Sequence, residues 1–446
     1  MDVYTAKGTP MKRLAALLLP LALAAALPAT GASPDKGPAT IAAALEQGAR
    51  QHKPVLIDFQ AVWCYSCYFM ASHVLNGDEF KALESKVIFV EADADAPDGQ
   101  AWMKKLNVHF LPTYVALDEH GNELGRILAE RPRDKFYPEV AAILSGNQRL
   151  DKLKGDAQKG SLAAVAAVLD DYQKRYAGPE GLAWFDTLPP VVKNVADKDR
   201  DVALSRQQLL LLKAKGDKDD AAIADAAKHV LAGRIGCQRP YVLDDLLGAT
   251  ASLPAEQKRA AAAEQKEAMQ SYVDTQVLVA NPPCADIRSG VLSLADVDAA
   301  AGDAAGEKAI LDRAIDMTRG KLGDNVASDR NLADNLRVYL VRAKRADEVD
   351  ALELKLIAAY PNDYVYAYRH GRNLVENGRA QEGLPFLEKA ATKAYGANKL
   401  QVATYRAKAL IALGRKDEAK KVVDTVVAQE GKTFPEAAAR LRQAVS

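Results

Sequence analysis

Two cysteines set three apart, Cys64 and Cys67 in the stretch VWCYSCYFM, make up half of the four cysteines in this 446-residue chain. Three chemistries are open to such a pair: reversible dithiol–disulfide exchange, half of a metal site, or a staple that closes a turn. A cysteine at a helix N-terminus faces unsatisfied backbone N–H groups and the positive end of the helix dipole, and both stabilise thiolate over thiol. That makes Cys64 the attacking sulfur. Cys67, one helical turn along, is placed to resolve a mixed disulfide instead of starting one. A buried Cys67 thiol needs a base, and Asp58, an acid inside the apolar run VLIDF, is the candidate, because desolvation raises a carboxyl pKa into a useful range. A zinc site needs about four nitrogen or sulfur ligands, but the chain has no second C-x-x-C and no H-x3-H, and His52, His73, His109 and His120 are scattered. A strained short loop at a helix start is a poor staple and a good redox centre. The expectation is a redox pair with no metal, and with no cofactor beyond the Cys64–Cys67 disulfide itself.

The elements that must hold these residues follow from the pattern around them. TIAAALEQGARQ has Ile41, Ala44, Leu45 and Ala49 at helical spacing,. PVLIDFQ reads as a strand bounded by Pro54, and the cysteines then open a helix,. KVIFVEAD from Lys86 reads as a second strand, GQAWMKKLN as a short helix and LPTYVALD as a third strand. A turn at EHGNE leads to LGRILA, and PRDKFYPEVAAILSG closes the series as a helix. This alternation is that of an α/β domain with helices around one sheet.

The segment from about Thr40 to Gly146 resembles the thioredoxin superfamily. IDFQAVWCYSC matches the strand-to-helix active-site segment, with Asp58 six residues before the first cysteine and Trp63 directly before it. FLPTYV matches the loop whose cis-proline faces the cysteines, and HGNELGR matches the last hairpin. Within the superfamily the segment is most similar to exported thioredoxin-like modules and to the C-terminal domain of the transmembrane reductase DsbD. The resemblance implies a thiol-disulfide oxidoreductase with Cys64, Cys67 and Asp58 catalytic. It also implies a substrate-binding surface at Trp63, Tyr65, Pro112 and Thr113, where a cis Pro112 leaves backbone beside it for an extended substrate segment. Tyr65-Ser66 supplies no positive charge between the cysteines, which favours a reductase or an electron relay over an oxidase.

After Gly146 the character changes to alanine-rich amphipathic stretches such as SLAAVAAVLDDYQKRY, with no strand series,. We expect a helical region over 150–330 and helical repeats over 331–446. Arg345, Arg379 and Arg415 recur 34 and 36 residues apart, each opening a helix after a turn, with Gly378 and Gly414 in two of the turns. That period and Pro361 resemble tetratricopeptide repeats, and a plain helical bundle is the competing reading. Repeat arrays leave a concave surface that binds protein or peptide partners. Cys237 and Cys284 sit in loops rich in Gly or Pro, and a structural disulfide between them is expected,.

Lysine plus arginine equals aspartate plus glutamate at 59 each, so no global field draws the chain to nucleic acid or an anionic membrane,. Residues 1–32 have the layout of a secretory signal peptide: Lys12 and Arg13, an apolar run from Leu14 to Leu27, then small residues to Ala32,. Met11 is an alternative start. Export to the periplasm or beyond, with no transmembrane segment after cleavage, is the expectation, and it lets both cysteine pairs form disulfides. Two function classes remain. One is an exported oxidoreductase acting on protein thiols and disulfides, with a membrane electron donor as a further expected partner. The other is an adaptor in which the array does the work and the thioredoxin-like part is a docking module.

Overall fold

The computed structural model of the protein describes residues 38–445, and the expected signal segment lies outside them. The described residues 38–445 lie in one compact unit. Its first part is built on four strands, β1 (Val55–Gln60), β2 (Ile88–Asp93), β3 (Thr113–Leu117) and β4 (Glu123–Leu128), in the order β2-β1-β3-β4. β1 runs parallel to β2 and antiparallel to β3, and β3 pairs antiparallel with β4. Five helices surround the sheet: α1 (Ile41–Gln51), α2 (Tyr65–His73), α3 (Gly77–Glu84), α4 (Pro97–Lys105) and α5 (Arg133–Leu144). The spacing of apolar residues did not announce α3, an eight-residue helix whose single buried side chain is Leu83.

The alternation of side chains along β1 sorts the core into two layers. Val55, Ile57 and Phe59 pack with Ile41 and Ala44 of α1 and with Val90 and Val115. Leu56 faces the other way, among Met70 of α2, Tyr114, Ile127 and Phe136. Asp58 shares Leu56's parity, so the strand itself delivers this carboxyl to the side that α2 covers. α4 crosses so close to the end of β2 that a Cβ at Gly99 would lie 1.9 Å from the Asp93 carbonyl, so only glycine fits there,.

From Leu150 onward the described residues are helical, with no strand among them. The C-terminal part is a run of helix pairs: Arg330–Arg342 with Ala346–Ala359, Val365–Glu376 with Ala380–Ala391, and Ala397–Ala412 with Lys416–Glu430, then Pro435–Val445. The recurring arginines cap the second helix of each pair. Each follows a residue at positive φ (Lys344, Gly378, Gly414), and its N–H bonds to the carbonyl of Leu340, Leu374 or Leu410 respectively. Each guanidinium then pairs with a glutamate three residues on, Glu348, Glu382 or Glu418. The sequence period is thus the period of one turn-and-cap device.

Candidate active site

Cys64 is the N-cap of α2, and its Sγ accepts the Cys67 N–H at 3.1 Å. Cys64 and Cys67 are joined as a disulfide, 4 % and 9 % exposed. The sulfur that the helix terminus would stabilise as thiolate is therefore at the start of the helix, with a backbone donor already aimed at it. Asp58 is buried in β1 opposite Tyr114 of β3. Its buried carboxyl faces the Tyr114 side chain across the β1–β3 pairing. Burial holds its pKa well above the usual carboxylate range, and Glu91 adds to the effect. Such a carboxyl retains a proton where an ordinary aspartate has lost it.

Leu111, the residue before Pro112, packs against the buried cluster that contains Cys64 and Cys67. The Leu111–Pro112 bond is cis, Pro112 is buried, and the buried Thr113 hydroxyl donates to the Phe110 carbonyl at 2.7 Å. Trp63 is 38 % exposed, and its Nε1 donates to Asp95 Oδ2 at 2.6 Å. Tyr65 is only half-buried, but what covers it comes from the helical region: its hydroxyl donates to Asp286 Oδ2 at 3.1 Å, and the Arg288 guanidinium lies 3.6 Å from its ring centre. Cys237 and Cys284 are disulfide-bonded, and Cys284 stands two residues before that Asp286.

Further contacts show that helices far along the chain sit on the cysteine loop. Asn331 Nδ2 donates to the Tyr65 carbonyl and Arg369 to the Trp63 carbonyl, both at 2.8 Å, and Arg330 lies 4.0 Å from the centre of the Tyr68 ring. Beyond the cis-proline loop, Phe110 meets Tyr241 edge to face, and Tyr241 donates to Asp286 at 2.5 Å. Arg288, Arg337 and Arg369 converge on the fully buried Asp334. Burial alone would raise this carboxyl, yet the three guanidinia hold it far below the usual range.

Glu130, just past β4, escaped the sequence reading. It is buried, accepts the Ser66 hydroxyl at 2.9 Å through Oε1, and has no partner for Oε2 among the described residues. Burial, and then the charge of Asp286, raise its pKa to about 8. Ser66 lies between the cysteines, so this proton-holding group is tied directly to their turn. No spacing in the sequence marks Glu130, because its role depends on a neighbour 156 positions away.

Among the described residues, Asp350, Glu353 and His370 bring ligand-type atoms within 4.8 Å of one another. Arg379 pairs with Asp350 at 2.5 Å, and Arg337 stands 3.7 Å from Glu353, so guanidinia already balance these carboxylates. His52, His73, His109 and His120 are exposed and apart from this cluster.

Residues 38–119 match the family model described as Thioredoxin-like. The chain is similar to the thioredoxin-like protein HCF164, chloroplastic, of Arabidopsis thaliana, 27% identical over 26% of this chain and 44% of that protein. It is also similar to the thiol:disulfide interchange protein DsbD of Neisseria meningitidis, 31% identical over 22% of this chain and 17% of that protein. A solved structure, DsbH oxidoreductase, aligns over 27% of this chain and 96% of its own at 24% identity, with a TM-score of 0.22. The chain thus spans less than half the length of these curated relatives. The N-terminal part is a thioredoxin-like α/β domain, and an extended helical region follows it.

Proposed function

We propose that this protein is an exported thiol-disulfide oxidoreductase that works through Cys64 and Cys67, as a reductase or electron relay, and that its helical region selects the protein partner. The observation that carries this is the placement of Cys64 as the N-cap of α2, with the Cys67 N–H on its sulfur and Asp58 buried on the same side of the sheet. The Cys64 thiolate attacks a partner disulfide, forming a mixed disulfide and releasing one partner thiolate. Cys67 passes its proton to Asp58, and its thiolate attacks Cys64 Sγ, expelling the second partner thiolate. Two electrons move to the partner, and the Cys64–Cys67 disulfide left behind is re-reduced by a dithiol donor, for which a membrane electron donor is one candidate class. The pair itself carries the electrons, so the reading needs no bound cofactor. No helix among the described residues is long and apolar enough to cross a membrane.

Residues 331–446 support partner binding if their helix pairs act as a tetratricopeptide-type array. One observation favours the adaptor reading instead: both sulfurs are covered in this conformation. Insulin reduction with dithiothreitol, together with a measured redox potential, separates the two. Turnover that is lost in Cys64→Ser supports the oxidoreductase. Equal insulin reduction by wild type and Cys64→Ser leaves the adaptor.

A further inference from the structure

A cavity of about 790 Å³ opens beside the redox pair, within the size range of ligand sites,. One wall is Trp63, Asp95 and Gln100 of the thioredoxin-like domain. The other is formed by the first helices of the three C-terminal pairs together with Pro435–Val445. Trp63, the residue directly before Cys64, is therefore part of a groove that the array completes.

The charge of its lining says what this groove takes. The lining carries Arg337, Arg369, Arg372 and Arg440 against Asp95 and Glu376. Arg337 and Arg369 are held from behind by Asp334, and Arg372 reaches Glu376 at 2.9 Å, whereas Arg440 is exposed and has no ion-pair partner among the described residues. The excess is positive, yet Asp95 and Glu376 stand in the same walls and the chain's formal net charge is zero. That pattern suits a peptide carrying some acids better than a nucleic acid with a charge at every residue.

We propose that this cavity docks an extended acidic segment of the redox partner, with carboxylates toward Arg372 and Arg440 and its reactive sulfur toward Trp63. The placement of the sulfur rests on the oxidoreductase reading above; recognition of the acidic segment does not. Arg369 belongs to the same wall and holds the Trp63 carbonyl, so an occupant of the groove lies one side chain away from the backbone that leads into Cys64.

The test uses the full-length protein and fluorescently labelled synthetic peptides of equal length, acidic, neutral or basic, with serine in place of cysteine. Binding is then read without any thiol chemistry, and failure of the oxidoreductase reading stays distinguishable from failure of this one. The expected result is that the acidic peptide binds at least about tenfold tighter than the basic one and weakens as salt rises. Arg440→Glu should cost about tenfold and Arg440→Lys should largely retain binding; since Arg440 is exposed, neither change threatens the fold, and thermal melts check that. Equal binding of acidic and basic peptides, binding of none, or displacement of the acidic peptide by a single-stranded oligonucleotide more readily than by unlabelled peptide would each overturn the proposal.

Discussion

At the scale of single residues, two buried carboxyls, Asp58 and Glu130, are both held above the usual carboxylate range, and the proposed mechanism gives Asp58 the Cys67 proton. Asp58 lies on the side of the sheet that α2 covers, and burial raises its pKa well above the usual range, which makes its carboxylate a stronger proton acceptor,. Its loss should slow attack by Cys67 more than attack by Cys64. In Asp58→Asn, stopped-flow traces should show mixed-disulfide release slowed by about 10²-fold with formation changed little; unchanged release would remove Asp58 from the mechanism. Glu130 makes a claim on stability. Its folded pKa of about 8 stands above its ordinary value of 4.5, so between those values the native state binds more protons than the unfolded state. Stability contributed at this site is therefore lost as pH rises from about 4.5, and the loss levels off above about 8. Glutamine keeps the Ser66 contact without a charge to bury. Glu130→Gln should leave stability nearly unchanged at pH 4.5 and raise it clearly at pH 7.5,. Urea melts at the two pH values check this, and an equal effect at both would contradict it.

Among the elements, the loop between residues 278 and 286 carries both the second disulfide and the Asp286 contact to Tyr65. Cys284 is fully buried, its bond to Cys237 spans a sequence separation of 47, and Asp286, two residues on, bonds Tyr65 and Tyr241. Closing a loop of that length stabilises by roughly 4 kcal/mol on the chain-entropy model. The Cys237→Ser, Cys284→Ser double variant should lose about that much in denaturant melts and should also raise the susceptibility of Cys64–Cys67 to reduction, as the Asp286 contact loosens. A stability loss with no change at the first disulfide would show that the two are independent. The C-terminal pairs were legible as a period because a cap recurs: Arg345, Arg379 and Arg415 each need a turn before them and an acid three residues after. α3 was not legible, because a short helix with one buried residue leaves no apolar period to read.

Taken as one molecule, the chain folds its helical region back onto its own cysteine loop. Tyr65 and Trp63 offer carbonyls that Asn331 and Arg369 bind, and Gly396, at the start of the helix Ala397–Ala412, presses on the segment just past β2: a Cβ at Gly396 would lie 2.0 Å from the Asp95 carbonyl. Exchange requires an incoming sulfur to reach Cys64 in line with the breaking bond, so this cover must open locally before reaction. Removing one of its hydrogen bonds, worth about 1 kcal/mol, should raise the open fraction roughly fivefold. Asn331→Ala should accordingly speed reduction of Cys64–Cys67 by dithiothreitol about fivefold, followed by quenched alkylation and mass spectrometry. An unchanged rate would mean that the sulfurs are reached by a path these contacts do not guard.

What the sequence determined by itself is whatever local chemistry dictates over a few turns of chain. The α/β order, the cysteine helix, Asp58 on an inward-facing strand position and the repeating caps all follow from side-chain period, helix ends and turn residues, each readable within about a dozen positions. Only the tertiary structure decided that Tyr65 is covered, that Glu130 faces Asp286, and that Trp63 forms the wall of a groove closed by helices three hundred residues later. Those pairings join residues with no common period, through contacts between surfaces whose shape and charge exist only once each element has folded.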